Sequence, residues 1–523
     1  MASSALAYNI TEDLLSRLFK RDDIRALCPQ DLSPETAQAI GRAFTRLVTA
    51  RLGHAPRLVI GNDVRQFSPV LNEAFSRAAL AEGAEVHTAG SCPTEMLYYL
   101  CGQEEYGYDA GIMVTASHNP KEYNGMKFIW RKAVPFVPAD LQELRQRMLD
   151  YASEPLTGES GAAALPVDKR AAFTSYMMSL AGCQSWPAAS EPVRVVIEAL
   201  HGVGGFGFRP VAEALRQYNC EVIIEHEEPN PAFPFGVPNP LLPGCQQQLC
   251  EAVLKHHADL GIIFDGDADR AGCATNAGIM LSGSQVLTLL AMAKLDNADI
   301  RRNEGQKAII MKNLCCSRLV EDALLPRGDC EVMQTPVGHG VIKRLMRNPA
   351  WRARLLLAGE HSGHYYYPEF NCADSGILTA LYMIACVRKL KAQGSSLEQV
   401  ASAWRSSYRE SGELNQRMES SQLVFQALSR AWDFLRQRGG QRYEVQLDPE
   451  TSIPRVAKTD SPYHPDRMPT PDLKVLFPET TPGQCIIRPS GNEPVLRLFL
   501  ETSYGDDNTM PQLVADLKGV LNQ

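Results

Sequence analysis

One serine stands on a tight polar loop, in the segment Thr115 to Lys127 with the sequence TASHNPKEYNGMK, where a phosphoryl group can be carried. The apolar segment Ala110 to Val114 before it is typical of a buried strand of a parallel sheet. In open α/β sheets the carboxyl ends of strands face the ligand crevice, so the hydroxyl of Ser117 is placed for chemistry. Gly125, near the end of the loop, permits an unusual φ there.

Three carboxylates converge in a second loop. Asp265, Asp267 and Asp269 stand at alternate positions of DGDADR, directly after the apolar run LGIIF, and we expect a hairpin-like turn. Their mutual repulsion is relieved by a hard divalent cation, and Mg²⁺ suits a few carboxylates plus a phosphate oxygen. A helix-loop-helix calcium site is not indicated, because Arg270 stands where that loop requires glycine. An aspartyl-nucleophile phosphatase, whose loop also follows a strand with FDxD, stays open, as does a solvated acidic turn.

Arg488 to Arg497, RPSGNEPVLR, gathers two guanidinium groups, a hydroxyl, an amide and a flexible backbone at Gly491. These are the donors that a phosphate dianion needs, and consecutive backbone N–H groups of such a turn form an anion nest. The sequence therefore predicts phosphate binding at this turn, although structural turns with SGN are common.

Two further motifs carry histidines. In GEHSGH, residues 359 to 364, Glu360 can accept hydrogen bonds from two vicinal hydroxyls of a sugar, whereas His361 can equally serve packing. In VGHGVIK, His339 lies between two glycines, and a structural role is the more common one for a single histidine in that setting.

The elements that must position these motifs alternate short β-rich runs with helical stretches, three times over, which is typical of βαβ units and parallel sheets. Each third strand leads straight into a polar motif, so we expect three related domains whose equivalent strand ends carry the chemistry. The predicted strands are Arg57 to Gly61, Glu85 to Ala89 and Ala110 to Val114; Arg194 to Leu200, Glu221 to Glu225 and Leu260 to Phe264; Lys307 to Met311, Glu331 to Thr335 and Arg354 to Gly359.

The last segment does not show this βαβ pattern, and its sequence predicts a small α+β domain. It has a helical stretch from Glu419 to Arg438, four strands and a closing helix from Met510. The piece Pro449 to Pro471 lacks periodicity and is predicted to be a surface loop. Linkers are predicted at Gly158 to Ala164 and Ser406 to Ser411. The predicted strands are Tyr443 to Gln446, Lys474 to Phe477, Gln484 to Ile487 and Leu496 to Glu501.

Length and composition bound the protein class. A chain of 523 residues is too long for one core, and 45% hydrophobic with 21% charged residues is typical of a globular protein. A net charge of −8 argues against sequence-independent nucleic-acid binding, and no apolar run approaches the length that crosses a bilayer. The start of the chain lacks a basic leading segment, so we expect a cytoplasmic protein. The 14 cysteines contain no CxxC pair, so neither a disulfide framework nor a zinc site is indicated.

Taken together, TASHNPKEYNGMKF, FDGDADR, GEHSGH and RPSGNEP, in this order, resemble the α-D-phosphohexomutase family, which includes phosphomannomutases, phosphoglucomutases and phosphoglucosamine mutases. The resemblance spans nearly the whole chain, since RDDIRA and GNDVRQFSP are similar to two further family segments. It implies three mixed α/β domains, over 1–165, 166–282 and 283–408, and a C-terminal α+β domain over 409–523, around a central cleft. It also implies Mg²⁺, a phosphorylated hexose as substrate, a hexose 1,6-bisphosphate such as glucose 1,6-bisphosphate as intermediate, and leaves monomer or homodimer open.

The resemblance implies roles for individual residues. Ser117 corresponds to the phosphoserine, whose phosphate completes the metal site of Asp265, Asp267 and Asp269, and Arg270 neighbours that phosphate. Glu360 and Ser362 match residues that bind the sugar hydroxyls, and the loop that binds the substrate's non-reacting phosphate corresponds to Arg488, Ser490, Gly491, Asn492 and Arg497. Positions at or near the lining of the cleft correspond to Arg25, Lys127, His339 and His364, with Lys127 the candidate general acid/base and His339 also expected to be catalytic; Lys312 is a looser match.

The chain departs from the family pattern at three places. Asn492 replaces a threonine of the phosphate loop, and Ala26 and Ala268 replace glycines, both acceptable if their φ stays negative. GEHSGHYYY is more similar to the phosphomannomutase branches than to phosphoglucosamine mutases, so mannose and glucose phosphates are the expected substrates. Phosphoglucosamine mutase, a metal-dependent aspartyl-nucleophile phosphatase and a silent sugar-phosphate sensor are the alternatives.

Overall fold

A computed structural model describes residues 10–154, 163–186, 191–296, 306–447, 454–465, 472–477, 483–490, 495–503 and 509–522. No helix within these residues combines the length and the apolar character needed to cross a membrane.

The strands alternate with helices along most of the chain. In chain order they are β1 (Ile24–Leu27), β2 (Arg57–Asn62), β3 (Glu85–Ser91), β4 (Ala110–Val114), β5 (Tyr123–Trp130), β6 (Val134–Pro135), β7 (Leu165–Pro166), β8 (Val193–Glu198), β9 (Cys220–Glu225), β10 (Leu260–Phe264), β11 (Ala271–Thr275), β12 (Met280–Leu281), β13 (Ala308–Asn313), β14 (Cys330–Thr335), β15 (Leu355–Gly359), β16 (Tyr365–Tyr367), β17 (Ala373–Asp374), β18 (Tyr408–Arg417), β19 (Gln441–Leu447), β20 (Pro454–Lys458), β21 (Leu473–Leu476), β22 (Gly483–Pro489) and β23 (Val495–Ser503).

The α-helices follow the same alternation. They are α1 (Glu12–Leu18), α2 (Pro34–Leu52), α3 (Ser68–Ala81), α4 (Thr94–Gly102), α5 (Pro138–Asp150), α6 (Arg170–Leu180), α7 (Gly204–Leu215), α8 (Pro243–Lys255), α9 (Gly283–Asp296), α10 (Leu319–Leu324), α11 (His339–Met346), α12 (Gly376–Ala392), α13 (Leu397–Ser407), α14 (Ser421–Gln437) and α15 (Thr509–Leu521). Helix α2 shows why they form where they do: Ser33 caps its first turn, Pro34 stands at its start, and Gly53 ends it in the left-handed conformation.

The chain packs into two units. Unit 1 comprises Met1–Leu281, Gly338–Arg347 and Ser362–Leu397, and unit 2 comprises Ser282–Val337, Asn348–His361 and Glu398–Gln523. The division into four domains stays a prediction.

One strand arrangement occurs three times. In unit 1 the parallel strands run in the order β3-β2-β4 and again in the order β9-β8-β10, and in unit 2 they run in the order β14-β13-β15. In each set the first strand lies in the middle and the third strand ends at a polar motif. The three βαβ repeats predicted from the sequence are confirmed, and β4 and β10 are buried along their whole length, as their continuous apolar runs indicate.

The C-terminal part of unit 2 is an antiparallel sheet in the order β18-β23-β22-β21-β19-β20. One face of this sheet packs against α14 and α15 through a cluster that includes Leu428, Val475, Cys485, Leu500 and Leu517. The α+β interpretation of this segment is confirmed.

Two predictions about this region are wrong. Pro454–Lys458, inside the predicted surface loop, forms β20 and pairs with β19, a pairing between separate segments that periodicity over so short a stretch does not indicate. The serine-rich segment from Ser406 to Ser411 contains the end of α13 and the start of β18, and the sequence did not predict β18. Most of the predicted linker from Gly158 to Ala164 lies outside the described residues.

Candidate active site

The predicted nucleophile, Ser117, lies on a short turn between β4 and β5. Its backbone has φ +50°, an uncommon value for a residue with a side chain, and its N–H donates to Thr115 Oγ1 at 2.8 Å. Only 1% of its surface is exposed. A strained and buried serine at the end of a central strand is typical of a functional position, because such strain persists only where the surroundings enforce it.

Arg65 holds this turn in place. Its side chain is 1% exposed, and it donates to four backbone carbonyl oxygens of the loop, those of Ser117, Asn119, Pro120 and Tyr123, at 2.7–3.0 Å. Its charge is balanced by Asp63, which also accepts from Thr115 Oγ1 at 2.7 Å. The sequence placed Arg65 in a family-like segment without giving it a role, and a fixed five-donor guanidinium is suited to organising a loop of carbonyls.

Gly125 has a different function from the one predicted. It lies inside β5 with no positive φ, but a Cβ atom there would stand 2.1 Å from the carbonyl oxygen of Ile24 and 2.8 Å from that of Thr115. The glycine is therefore required by the close approach of β1 and the serine loop, and Lys127, two residues later, belongs to the strand rather than to the loop.

The three aspartates lie in the turn between β10 and β11, as the sequence predicts. Asp265, Asp267 and Asp269 are each at most 2% exposed, and each offers a carboxylate oxygen within 4.8 Å of the others. Ser117 Oγ donates to Asp265 Oδ2 at 2.9 Å. The predicted nucleophile and the predicted metal ligands therefore form one site, which we call the serine–aspartate site.

This site fits a divalent cation. Among the described residues, Asp267 Oδ1 and Asp269 Oδ1 are fully buried and have no hydrogen-bond partner. Buried carboxylate oxygens without partners are costly, and oxygen ligands of this kind suit Mg²⁺. The predicted magnesium ligands are thus chemically competent to hold the ion.

Two cationic side chains border the acids. Lys127 Nζ donates to Asp267 Oδ2 and to Asp269 Oδ2, both at 2.6 Å, and Thr94, at the start of α4, donates its hydroxyl to Asp267 Oδ2 at 2.6 Å. Arg25 is 9% exposed and donates to Asp23 and to Asn119 Oδ1 of the serine loop at 2.8 and 2.7 Å. Arg25 thus contacts the serine loop, whereas Lys127 reaches the acids from β5.

The pKa values of Asp265 and Asp267 are shifted in opposite directions. Burial raises the pKa of Asp265 well above its ordinary value, and the negative charges of Asp267 and Asp269 raise it further. Burial would also raise the pKa of Asp267, but the Lys127 ammonium and the hydrogen bonds from Lys127 and Thr94 hold it below the ordinary value. Of these two acids, Asp265, which contacts Ser117, is the one whose pKa is raised and which would gain more from a bound cation.

Ala268 and Arg270 belong to the same loop as the three aspartates. Ala268 has φ +62°, so the condition under which alanine was acceptable in place of glycine is not met, and the turn holds alanine in the left-handed region at a cost of about 1–2 kcal/mol. The backbone N–H of Arg270 donates to Asp265 Oδ1 at 3.2 Å, and the side-chain Nε of Arg270 lies 3.6 Å from Asp265 Oδ2. The Arg270 side chain therefore borders the carboxylate that contacts Ser117.

His364 is part of a buried charge array that the sequence did not predict. His364 Nδ1 lies 2.9 Å from Asp374 Oδ2 and 3.8 Å from Asp269 Oδ1, and Lys343 Nζ lies 2.7 Å from Asp374 Oδ1. Burial would raise the pKa of Asp374, but Lys343 and His364 hold it well below the ordinary range. Asp269, His364 and Asp374 also have metal-ligand spacing, and here the Lys343 ammonium supplies the positive charge.

His339 begins α11, with its ring stacked 6.2 Å from that of His364. Burial and the nearby Lys343 charge lower the pKa of His339 well below its ordinary value, so its imidazole is neutral at pH 7. A neutral imidazole beside the serine–aspartate site can accept a proton.

In unit 2, Glu360 follows β15 and is 3% exposed. Asn313, at the end of β13, donates its amide to Glu360 Oε2 at 2.8 Å. Its neighbour His361 packs its ring edge against Phe499 at 4.1 Å, and burial lowers the pKa of His361 to about 4. The packing alternative for His361 is the one that the structure supports.

The two predicted phosphate-binding arginines of unit 2 are direct neighbours. Arg488 on β22 is paired with Arg497 on β23; the described ion-pair partner of Arg488 is Asp472 at 3.8 Å, and that of Arg497 is Glu413 at 3.2 Å. Like charges opposite each other on adjacent strands are destabilising, and an anion relieves that repulsion. Glu360 acts electrostatically on Arg488, which places the two side chains close together.

The remaining predicted site residues are in different parts of the chain. Ser490 donates its backbone N–H to the carbonyl oxygen of Val495 at 2.7 Å, and Ser362 is partly exposed in unit 1. Gly491 and Asn492 lie outside the described residues. Lys312 is fully buried and paired with Glu321, so it is a structural cation of unit 2.

Comparison with family descriptions matches three consecutive regions of the chain. Residues 16–154, 174–278 and 282–407 match phosphoglucomutase/phosphomannomutase, alpha/beta/alpha domains I, II and III, respectively.

Individual proteins give the same result. The chain is 33% identical over 406 residues to a protein of Xanthomonas campestris pv. campestris named phosphohexose mutases, covering 77% of this chain and 83% of that one. It is 30% identical over 410 residues to a phosphomannomutase of Vibrio cholerae, covering 78% and 84%. The crystal structure of a phosphoglucomutase/phosphomannomutase family protein from Burkholderia thailandensis shares the fold, with a TM-score of 0.72, 22% identity and 97% coverage of both chains.

Proposed function

Because the chain belongs to the phosphoglucomutase/phosphomannomutase family, we propose that it interconverts hexose 1-phosphate and hexose 6-phosphate through a phosphoserine at Ser117. The intermediate is a hexose 1,6-bisphosphate, such as glucose 1,6-bisphosphate. The family relationship makes the protein a mutase, and the proposal adds the route and the residues.

The observation that carries the proposal is the 2.9 Å hydrogen bond from Ser117 Oγ to Asp265 Oδ2. A phosphate on this oxygen stands next to three buried carboxylates that need a cation, so one ion can neutralise both. Bound Mg²⁺ would be held by the three aspartates and the phosphoserine, where it stabilises the negative charge that develops on the transferring group.

The transfer of the phosphoryl group also requires transfer of a proton. When the phosphoryl group moves from Ser117 to a sugar hydroxyl, the P–O bond to serine breaks, a P–O bond to the sugar forms, and the hydroxyl proton must leave. We assign that proton to the neutral imidazole of His339, and Lys127, whose ammonium is bound by Asp267 and Asp269, supplies the proton that returns to Ser117 Oγ. Arg270 and Arg25 border the loop and offset the charge of the phosphate.

Recognition of the sugar phosphate is assigned to the remaining residues. Arg488 and Arg497, with Ser490, Gly491 and Asn492, bind the phosphate that is not transferred, and Glu360 accepts hydrogen bonds from sugar hydroxyls, with Ser362 and His364 as further contacts. The opposed arginines support this assignment, because an anion relieves their repulsion. Mannose and glucose phosphates are the proposed substrates, consistent with the names of the relatives. A cytoplasmic location and a monomeric or homodimeric state stay predictions.

The test is intact-mass measurement and peptide mapping of the purified chain after incubation with glucose 1,6-bisphosphate. We expect one acid-stable phosphate on Ser117, and Ser117→Ala should abolish both the label and turnover while leaving the circular dichroism spectrum unchanged. Ser179→Ala, on α6, is the matched control and should retain full turnover.

Two outcomes would contradict the proposal. A label that hydroxylamine removes, with release of inorganic phosphate, would indicate an aspartyl phosphatase with Asp265 as the nucleophile. A large preference for glucosamine 6-phosphate over mannose and glucose 6-phosphates would retain the mutase reaction but assign the chain to phosphoglucosamine mutases.

A further inference from the structure

A polar cavity lies in unit 2 and is lined by residues that have no role in the proposed mutase reaction. It has a volume of about 490 Å³, which is in the range of small-molecule sites. Its wall includes Arg318, Gln334, Tyr443, Lys474 and Gln484, and we call it the β21–β22 cavity.

The strand register explains why one side of this cavity is polar. Tyr443 is paired with Lys474, and Leu476 with Gln484, so these side chains project from the same face of the sheet. The opposite face carries Val475 and packs into the apolar core against α14 and α15. The sheet thus has one face of core residues and one face that carries polar groups toward the cavity.

Two of these polar groups are buried almost completely. Lys474 is 1% exposed, and Gln484 is fully buried. The amide of Gln484 donates to the carbonyl oxygen of Cys316 at 3.1 Å, but its own Oε1 has no hydrogen-bond partner among the described residues. A buried acceptor without a partner is destabilising by about 1–3 kcal/mol, so a donor supplied from the cavity is expected there.

The charges of the wall are unbalanced. Glu321, the acid of the wall, is already paired with Lys312 and accepts a hydrogen bond from Gln334 at 2.9 Å. Lys474 Nζ donates to Gln334 Oε1 at 3.1 Å and to the carbonyl oxygen of Leu314 at 3.4 Å, and within the described part of the chain it pairs with no carboxylate. Arg318 also has no described carboxylate partner for its guanidinium. Lys474 and Arg318 therefore line the cavity without a direct ion pair among the described residues, and the charges of Glu321 and Glu501 act on Lys474 only from farther away.

Burial and the charge of Lys312 lower the pKa of Lys474 to about 8. An anion in the cavity would reverse that effect by stabilising the charged form.

We propose that the β21–β22 cavity binds a compact oxyanion that carries a hydroxyl group, such as a three-carbon phosphate ester. The oxyanion accepts from Lys474 and Arg318, and its hydroxyl donates to Gln484 Oε1. This site is separate from Arg488 and Arg497, and occupancy of it is not required for the proposed mutase reaction.

The test is isothermal titration of the full chain with sn-glycerol 3-phosphate. Lys474→Met and Gln484→Leu should each weaken binding about tenfold or more, as expected for loss of a charge-assisted or buried hydrogen bond. Lys458→Met, which removes an exposed lysine of β20, and Arg497→Met, which alters the predicted phosphate turn, should both retain this binding event.

Three results would overturn the proposal: no binding to the wild type at millimolar ligand, equal binding to Lys474→Met, or loss of binding in Arg497→Met alone. If Lys474→Met does not fold by circular dichroism, Gln484→Leu and a soaked crystal decide. Density for the phosphate within hydrogen-bond distance of Lys474 Nζ supports the site, and density for water alone rejects it.

Discussion

Lys343 Nζ lies 2.7 Å from Asp374 Oδ1, and both side chains are at most 2% exposed. Breaking a buried ion pair by removing one partner leaves an uncompensated charge, so we expect Lys343→Met and Asp374→Asn each to lower the free energy of unfolding by about 3–5 kcal/mol. The double variant should lose much less than the sum, because it buries neither charge. Urea denaturation measures all three, and strictly additive losses would contradict the coupling.

The same variants test the role of Asp374 as a positioning residue for His364. Asp374→Asn, where it folds, should lower kcat with little change in KM, because the imidazole loses the carboxylate that orients it. Arg77→Met, in an exposed pair with Glu73, is the matched control and should change stability by less than about 1 kcal/mol.

Lys127 and Mg²⁺ should compete for the same two carboxylates. Lys127→Met removes the ammonium from Asp267 and Asp269, so we expect Mg²⁺ to bind at least about tenfold more tightly and the metal-free protein to unfold at a lower temperature. Titration calorimetry with Mg²⁺ and thermal unfolding in EDTA provide the two measurements. Lys132→Met, an exposed lysine of unit 1, should change neither, and an unchanged Mg²⁺ affinity in Lys127→Met would contradict the assignment.

Glu410 should make unit 2 less stable as the pH rises. Burial and the charge of Glu501 raise the pKa of Glu410 to about 8, so between pH 4.5 and 8 the native state binds more protons at this site than the unfolded state does. Stability from this group is therefore fully present below pH 4.5 and is lost as the pH rises through 8.

Glu410→Gln tests this, because the amide mimics the protonated acid and can keep the 3.0 Å hydrogen bond from Ser282 Oγ. We expect the variant to be more stable than the wild type at pH 9 by about 1–3 kcal/mol and to differ little at pH 4.5. Glu419→Gln, at an exposed position, should show no such difference, and a gain for Glu410→Gln that is independent of pH would contradict the linkage.

Gly125→Ala should be strongly destabilising. The added Cβ meets the carbonyl oxygens of Ile24 and Thr115, which are backbone atoms of two other segments, so the serine loop must shift. We expect a loss of about 3 kcal/mol and a large fall in kcat. Gly244→Ala, in α8, has open space at the same atom and should be neutral or stabilising by about 0.5–1 kcal/mol. Equal effects of the two changes on unfolding free energy would show that steric contact is not the cause.

The sequence predicts the strands well because long apolar runs bounded by polar motifs carry a strong signal, as for Leu260 to Phe264. It also predicts the residues on the loops after those strands, since one topology places them all at strand ends. It does not predict Arg65, Lys343 or Asp374 as parts of the site. Their roles depend on contacts between distant segments, and neither residue type nor spacing indicates which buried charges will pair.

The conformations of Gly125 and Ala268 illustrate a second limit. Residue identity suggests which φ values are permitted, but the packing of neighbouring segments decides which are used. Gly125 is needed for space and not for a turn, whereas Ala268 adopts a turn conformation that glycine would enter without strain.

The threefold strand arrangement has a consequence for how such a protein can acquire new chemistry. In each set the middle strand has a parallel neighbour on both sides, and the third strand leads into a loop that connects it to the next strand of the same sheet. Different side chains thus follow the third strand of each set, namely a serine, three aspartates and a glutamate, while the strand order is the same in all three sets. Substitutions confined to these three short segments can alter what the enzyme acts on, while the apolar layers that determine its folding are left untouched.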